Sequence, residues 1–437
     1  MQIADWNALD PAGRRAALDR PCGEARLEIG SETARIVADV RARGDASIRD
    51  HTARLDGVTL ESIAVTQAEF AAARTQIDAS AVAAMKQAIA NVTRFHAAQM
   101  PQALVVDTMA GVRCERIARP VQAVGLYVPA GSAPLPSTVI MLAVPARVAG
   151  CAKRILCTPP LPDCTANASV LVAAQLCGVD RVFKVGGAQA IAAMAFGTKT
   201  LPKVDKIFGP GNAWVTAAKQ IVAADPEGAA LDLPAGPSEV LVIADELARA
   251  DFVAADLLAQ CEHDPRSQAL LVTPSRPLAE RVLHEIEQQL AALSRIGILR
   301  QSVANSRAIV VADMATAIAV SNAYAPEHLI LQVAKPRELL GDIVSAGSIF
   351  LGEWSPEPMG DYCSGANHVL PTYGYARAYS GLSVQSFLKL ITVQELTPAG
   401  LRALGPVAST LAALEGLDAH VAAVDIRLSV LRARESA

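Results

Sequence analysis

The chain has 437 residues, of which 52% are hydrophobic and only 4% aromatic, and its formal net charge is −4. This composition favours a soluble α/β enzyme with a large aliphatic core over a disordered or fibrous chain. Basic and aromatic residues do not alternate along any stretch, so nucleic acid is not an expected partner. The most apolar run, STVIMLAVPARVAG, contains Pro145 and Arg147 and is too short and interrupted to span a membrane.

The first 110 residues or so are predicted to be mainly helical. Val82, Met85, Ile89 and Val92 recur at spacings of three and four, which gives a helix one apolar face. The chain opens without a basic region followed by an apolar stretch, so we expect no secretory signal. The eight cysteines include no CxxC pair, which is typical of reduced thiols in a cytoplasmic protein.

From about residue 120, short β-branched segments alternate with Ala-rich helical stretches. The segments are AVGLYVP, RILCTP, RVFKVG and KIFGP. Their alternation with helices predicts βαβ units that feed a mostly parallel sheet. Gly186-Gly187 and Gly209-Pro210-Gly211 follow two of these strands, at the place where ligand-facing loops of such sheets lie.

A second series of strands begins near residue 238, with EVLVIAD, ALLVTP, AIVVAD, LILQVA and SIFLG. We therefore predict two related α/β sheets, a helical N-terminal segment and a small C-terminal helical tail. The stretch from Pro356 to Tyr379 is rich in Gly, Pro, Asn and Tyr and is predicted to be a loop. The predicted domains are residues 1–25, a discontinuous α/β domain of 26–125 and 239–380, a second α/β domain of 126–238, and the tail of 381–437.

The dipeptide Glu327-His328, in NAYAPEHL, follows Pro326 at the approach to the predicted strand LILQV and is the strongest candidate for chemistry. A carboxylate can activate water, and an imidazole can move a proton near neutral pH. Gln260 and His263 are three residues apart in DLLAQCEHD and share one face if that segment is helical. Imidazoles and carboxylates are ordinary zinc ligands, but no local spacing joins this pair to Asp361 and His420, so ordinary polar roles stay open.

Two other kinds of site stay open at this level. The turns VGGAQA and FGPGNAW could receive a phosphate at a helix N-terminus, or they could be plain tight turns, since neither sheet carries a GxGxxG motif. Cys151, Cys261 or Cys363 could supply a thiolate that attacks an aldehyde. Each is more simply a small buried hydrophobic residue.

The longer motifs resemble the histidinol dehydrogenase family. The resemblance extends from about residue 25 to about 430. It is carried by GLYVPAG, VGGAQAIAA, FGPGNAWV, DLPAGPSEV, AQCEHDP, APEHL, MGDYCSGANHVLPT, GLSVQSF and EGLDAH. It implies a cytoplasmic enzyme of histidine biosynthesis that oxidises L-histidinol through L-histidinal to L-histidine and reduces two NAD.

The resemblance also implies roles for individual residues. Glu327 and His328 match the acid–base pair of the family. The positions that match ligands of one zinc ion per subunit are Gln260, His263, Asp361 and His420. Substrate contacts are implied for these four residues, for His328, and for Ser238 and Glu415. The positions that match the NAD site are Tyr127, Gln189 and Asn212.

Further implications concern the assembly and the cofactor domain. The family resemblance implies a homodimer in which the tail carrying His420 crosses to the partner, so that the active sites are shared. Because GxGxxG is absent, NAD is expected in an incomplete Rossmann-like domain, residues 126–238. His368 either orients Asp361 or has a structural role in its loop.

Three other functions compete with this interpretation. The first is a zinc hydrolase or lyase in which Glu327 activates water without hydride transfer. The second is a metabolite-binding protein without catalysis. The third is a paralogous zinc- and NAD-dependent dehydrogenase for another amino or sulfonated alcohol.

Overall fold

The computed structural model describes residues 1–21, 26–130, 133–179, 181–234 and 236–435. The chain forms two compact units. The first contains Met1–Gln99 and Val121–Phe387, and the second contains Met100–Pro120 and the chain from Leu388 onward. Among the described residues, no helix combines the length and the apolar character needed to cross a membrane. The four-part domain division made from the sequence stays a prediction.

The first unit contains a five-stranded parallel sheet with the order β6-β5-β4-β7-β8. Its strands are β4 (Ala123–Tyr127), β5 (Lys153–Thr158), β6 (Arg181–Lys184), β7 (Lys206–Phe208) and β8 (Ala230–Leu231). The connecting helices are α6 (Pro136–Ala149), α7 (Ala168–Leu176), α8 (Gly187–Phe196) and α9 (Ala213–Ala224). Every residue of β4 is buried, as expected of a strand covered on both faces.

A second parallel sheet in the same unit has the order β1-β11-β10-β9-β12-β13. Its strands are β1 (Gln2–Asp5), β9 (Glu239–Ala244), β10 (Gln268–Thr273), β11 (Arg307–Val310), β12 (His328–Gln332) and β13 (Ser348–Leu351). Without β1, both sheets have the chain order 3-2-1-4-5, which is a Rossmann order without its sixth strand. This confirms the prediction of two related, incomplete Rossmann-like sheets.

Helices cover both faces of the second sheet. They are α10 (Ala250–Cys261), α11 (Arg276–Leu290), α12 (Ile296–Asn305) and α13 (Met314–Tyr324), with the short α14 (Glu357–Tyr362) after β13. Val240 and Val242 of β9 pack with α10, α11 and α12, whereas Leu241 and Ile243 pack with α13. This alternation is the two-residue period of a strand buried on both sides.

The N-terminal part of the first unit is largely helical, as predicted. Its helices are α1 (Pro11–Leu18), α2 (Arg26–Arg43), α3 (Asp45–Leu55), α4 (Gln67–Gln76) and α5 (Ala79–Ala97). The chain nevertheless begins with a strand, β1, which pairs with β11 at the edge of the second sheet. Only this long-range pairing makes four residues a strand, and a local pattern does not reveal it.

The second unit is built from an antiparallel sheet and two helices. The sheet has the order β14-β3-β2, from β2 (Leu104–Met109), β3 (Val112–Pro120) and β14 (Leu388–Leu396). The helices α15 (Pro398–Leu414) and α16 (Asp418–Glu435) pack against each other. The C-terminal tail is therefore helical only after β14, whose alternating segment LKLITVQEL is a strand pattern that the prediction missed.

Candidate active site

Glu327 and His328 lie at the amino end of β12, between β9 and β13. Helix α13 ends at Tyr324, and Ala325 turns the chain with a left-handed backbone, φ 54°. Pro326 cannot continue a helix, so the chain passes directly into the strand. Both side chains are buried, with 6% of Glu327 and 3% of His328 exposed. The prediction that the dipeptide precedes a strand is confirmed.

Both members of this pair are bonded to the backbone of Glu239. Its N–H donates to Glu327 Oε2 at 2.8 Å, and its carbonyl oxygen lies 3.3 Å from His328 Nδ1. On the other side of the ring, His328 Nε2 lies 3.3 Å from Asp361 Oδ1. These last two atoms are buried and form an ion-pair contact without hydrogen-bond geometry, and neither has a hydrogen bond within the described residues. Because buried polar atoms without a hydrogen bond cost free energy, this point is suited to a cation or a polar substrate group.

Burial and neighbouring charges control the protonation of the pair. Burial raises the pKa of Glu327 to about 8. Burial alone would lower the pKa of His328, but the carboxylates of Glu327 and Asp361 outweigh that effect and raise it above its usual value. The pKa of Asp361 is lowered despite burial, because it faces His328. A carboxyl group that titrates near neutral pH is suited to act as a general base.

A group of metal-ligating side chains lies beside the pair, just after the end of α10 and on α14. Ligand atoms of His263, Glu357 and Asp361 all lie within 4.8 Å of one another. Glu357 and Asp361 are four residues apart on α14, so their carboxylates share one helix face. The sequence prediction of a loop from Pro356 is therefore wrong at its start, where Pro356 precedes a helix. Glu357 was missed, although its spacing to Asp361 is a usable signal.

Gln260 and Ser238 complete this cluster. The Gln260 amide nitrogen, in the orientation that satisfies both groups, lies 2.9 and 3.3 Å from the two Glu357 carboxylate oxygens. Ser238 Oγ lies 3.2 Å from Nδ1 of His263. Burial lowers the pKa of His263, which favours the neutral imidazole that binds metals. Nitrogen and oxygen donors among several buried carboxylates fit a divalent cation such as zinc.

His368 joins this cluster to the first sheet. Its Nδ1 lies 2.8 Å from the backbone carbonyl oxygen of Asp361, and its Nε2 lies 3.3 Å from the hydroxyl of Thr138 on α6. Burial lowers its pKa, so the neutral ring donates from Nδ1 to the carbonyl oxygen. Of the two roles considered from the sequence, these contacts favour orientation of Asp361.

Two predicted site residues belong to the second unit. Glu415 follows α15 as its C-cap, and His420 lies in the first turn of α16. Both side chains are exposed in the single chain. The residues that the first unit brings together are the pair Glu327-His328 and the cluster around His263 and Asp361.

The three predicted NAD-site residues lie at the end of a strand of the first sheet or in the segment that follows a strand. Tyr127 ends β4 and is buried, and its hydroxyl accepts a hydrogen bond of 3.0 Å from the N–H of Gly187. Gln189 is buried in the first turn of α8, and its Oε1 has no partner in the described chain. Asn212 is exposed and caps α9 by accepting from the backbone N–H of Trp214 and Val215. The carboxyl ends of these strands are where such sheets bind ligands.

The loop after β7 is held by a buried ion pair. Lys219 donates to the carbonyl oxygen of Gly209 at 2.5 Å and to Asp232 at 2.7 Å. Asp232 in turn accepts a hydrogen bond of 2.8 Å from the N–H of Gly209. Gly209 has φ 125°, and a Cβ there would lie 2.1 Å from the Tyr127 carbonyl oxygen, so only glycine fits. Neither residue was singled out from the sequence: Lys219 belongs to no quoted motif, and Asp232 was not picked out although it begins DLPAGPSEV.

The cysteine mechanism finds little support. Cys261 is buried, and burial raises the pKa of its thiol. Burial also raises the pKa of Cys151 to about 11. Since the thiolate is the nucleophilic form, both residues are better described as buried hydrophobic side chains. Cys363 is partly exposed, and its backbone carbonyl oxygen accepts a hydrogen bond from Asn91.

Comparison with known proteins gives a consistent result. A family model described as histidinol dehydrogenase matches residues 22–428. A histidinol dehydrogenase from Xanthomonas euvesicatoria pv. vesicatoria is 56% identical over 430 residues, which is 98% of this chain and 100% of that protein. One from Vibrio vulnificus (strain CMCP6) is 52% identical over 99% of this chain and 100% of its own. The crystal structure of the Elizabethkingia anophelis enzyme has a TM-score of 0.95 at 44% identity, covering 99% of both chains.

Proposed function

The chain belongs to the histidinol dehydrogenase family, and we propose that it oxidises L-histidinol to L-histidine in two NAD-linked steps, the last of histidine biosynthesis. The observation that carries the proposal is the buried pair Glu327-His328 directly beside His263, Glu357 and Asp361. An acid–base pair next to a cluster of metal ligands is suited to alcohol and aldehyde oxidation.

Each residue of the pair accepts a proton in one of the two oxidation steps. In the first step, the neutral form of His328 accepts the hydroxyl proton of the alcohol while the carbinol carbon loses hydride, which gives the aldehyde. In the second step, Glu327 accepts a proton from water as the water adds to the aldehyde. The resulting hydrate anion loses a second hydride and its remaining hydroxyl proton and becomes the carboxylate. Each step therefore releases one hydride, and one water supplies the added oxygen.

We propose that Gln260, His263 and Asp361 hold one zinc ion per subunit. Their nitrogen and oxygen donors fit this ion, and a carboxylate oxygen of Asp361 lies within 4.8 Å of the ligand atoms of His263 and Glu357. When bound, zinc supplies positive charge that positions the imidazole and the amine of the substrate. Metal analysis of purified wild type and H263N tests this assignment. It requires about one zinc per wild-type chain and a clear loss in H263N.

We also propose that NAD binds at the carboxyl edge of the first sheet, near Tyr127, Gln189 and Asn212. The Oε1 of Gln189, which has no hydrogen bond among the described residues, and the glycine-rich start of α8 support this place. NAD supplies the hydride acceptor for both steps. Titration of the protein with NAD, monitored by intrinsic fluorescence, should give a weaker affinity for N212A than for the wild type. Equal affinities would indicate that NAD binds elsewhere on the protein.

We propose that the protein is a homodimer with shared active sites and that the second unit forms the interface. Its surface exposes large apolar side chains, including Leu411 at 56% and Leu414 at 80%, more than a free surface usually carries. The partner subunit's His420 would then complete the zinc ligands, and Glu415 would reach the substrate. The test is co-expression of E327Q and H420N chains. If the sites are shared, each mixed dimer has one intact site, which combines Glu327 of the H420N chain with His420 of the E327Q chain. If each site lies within one chain, the mixture is inactive.

Substrate identity is tested by comparing alcohols. L-histidinol should support NADH formation, whereas amino alcohols without the imidazole and sulfonated alcohols should not. If the enzyme prefers one of those alcohols, that alcohol is the substrate in place of histidinol, and the proposed dehydrogenase chemistry is kept. We place the enzyme in the cytoplasm, where its free thiols stay reduced, and cell fractionation tests that placement.

A further inference from the structure

Glu239 holds both members of the acid–base pair through its backbone. Its N–H donates to Glu327 Oε2 at 2.8 Å, and its carbonyl oxygen lies 3.3 Å from His328 Nδ1. These two groups belong to the peptide groups on either side of the Glu239 Cα, so a displacement of this one residue would move the carboxylate and the imidazole together. The position of Glu239 at the start of β9 thus decides the geometry of the pair.

The side chain of Glu239 is fixed by a buried ion pair. Arg20 donates to Glu239 Oε1 at 2.5 Å through Nε and to Oε2 at 2.9 Å through Nη2. The backbone N–H of Tyr373 donates to Glu239 Oε1 at 2.8 Å. The side chains of Arg20 and Glu239 are 13% and 3% exposed. A two-bond contact of this kind, shielded from water, fixes orientation as well as distance.

Arg20 also holds the turn that leads into Glu327. Its Nη2 donates to the carbonyl oxygen of Tyr324 at 2.8 Å, and its guanidinium lies 3.9 Å from the centre of the Tyr324 ring. The next residue, Ala325, has the left-handed backbone that turns the chain into β12. One guanidinium group therefore contacts both segments that carry the pair, the start of β9 and the turn before β12.

We propose that the Arg20–Glu239 ion pair is the positioning element of the Glu327-His328 pair. Arg20 is distant from these residues in sequence, and its contacts with the described residues reach the pair through Glu239 and the turn at Tyr324. The proposal rests on the proposed function, because it assigns a role within that reaction. Neither Arg20 nor Glu239 needs to touch the substrate for this role.

The test compares R20K, E239Q and the double variant R20M/E239Q with the wild type. R20K keeps the charge and loses the two-bond contact, whereas E239Q keeps the shape and loses the charge. The double variant removes both charges, so it leaves no lone buried charge to unfold the protein. R276Q is the matched control, because it removes an exposed contact of 3.2 Å between Arg276 and Asp5 of the N-terminal strand.

The expected result is a loss of kcat without a loss of binding. A displacement of reacting groups by about 1 Å can cost on the order of 100-fold, so the double variant should lose roughly that factor in kcat. R20K should lose less than the double variant. The KM for NAD and the zinc affinity should stay within about twofold, since the contacts of those sites are unchanged. R276Q should match the wild type throughout.

Activities are expressed per folded protein, with the folded fraction taken from far-UV circular dichroism. If the folded single and double variants keep the wild-type kcat, the positioning role is refuted. Equal losses in kcat, zinc affinity and NAD binding would also refute it, because they indicate a general structural role. If the wild type itself does not oxidise L-histidinol, the proposed function fails, and this outcome is distinguishable from the others.

Discussion

The pH dependence of aldehyde oxidation tests the role of Glu327 in detail. In the proposed mechanism the base form of this carboxyl group activates water, and burial raises its pKa from 4.5 to about 8. Only about one-tenth of the group is then ionised at pH 7, so the rate should rise roughly tenfold between pH 7 and pH 9. The groups that face it are His328, Glu239 and Asp361. As pH falls through about 8, activity is lost.

The assay is the initial rate of NADH formation from L-histidinal across this pH range, with the enzyme saturated in NAD and zinc. E327Q is the matched variant, because it keeps the shape and loses the titrating group. Loss of a general base costs about 100-fold to 10,000-fold, and the residual rate should no longer rise near pH 8. A wild-type rate that is flat from pH 6 to pH 9, or an E327Q profile with the wild-type rise, would refute the assignment.

Three further changes have definite expected outcomes. Burial raises the pKa of Asp256 from 3.8 to about 6. The folded protein therefore favours the protonated carboxyl group, and it loses stability as pH rises through about 6 and the buried group ionises. In urea titrations, D256N should therefore be more stable than the wild type by up to about 3 kcal/mol at pH 8, and not at pH 4. E357Q should bind zinc at least roughly tenfold more weakly in a chelator competition, while E353Q, at an exposed position, should not differ from the wild type. L414D should shift the protein to monomers in sedimentation velocity, whereas L247D, at a residue 73% exposed in the first unit, should leave a dimer.

Much of the fold could be predicted because short stretches of the sequence show the hydrophobic patterns of strands and helices. The two series of apolar strands alternate with helices, and both series fold into sheets with the same strand order. The Glu327-His328 pair was found because Pro326 and the following apolar run place it at the entrance to a strand. These features depend on residues within about ten positions of each other, the range that local pattern covers.

The remaining features depend on contacts between distant parts of the chain. β1 is a strand only because it pairs with β11, and Arg20 reaches Glu239 across 219 positions. No local spacing predicts a buried ion pair of that kind. Glu357 is a different case, since its four-residue spacing to Asp361 was visible, but the Gly- and Pro-rich surroundings favoured a loop.

The proposed mechanism is tested most directly by the number of NADH formed per L-histidinol by metal-free enzyme and by the same enzyme after zinc is restored. Two sequential oxidations at a zinc site require two NADH per substrate with zinc, none without it, and recovery when zinc is added back. One NADH per substrate would contradict the proposal that this site carries out both oxidations. Full activity of the metal-free enzyme would contradict the role given to Gln260, His263 and Asp361.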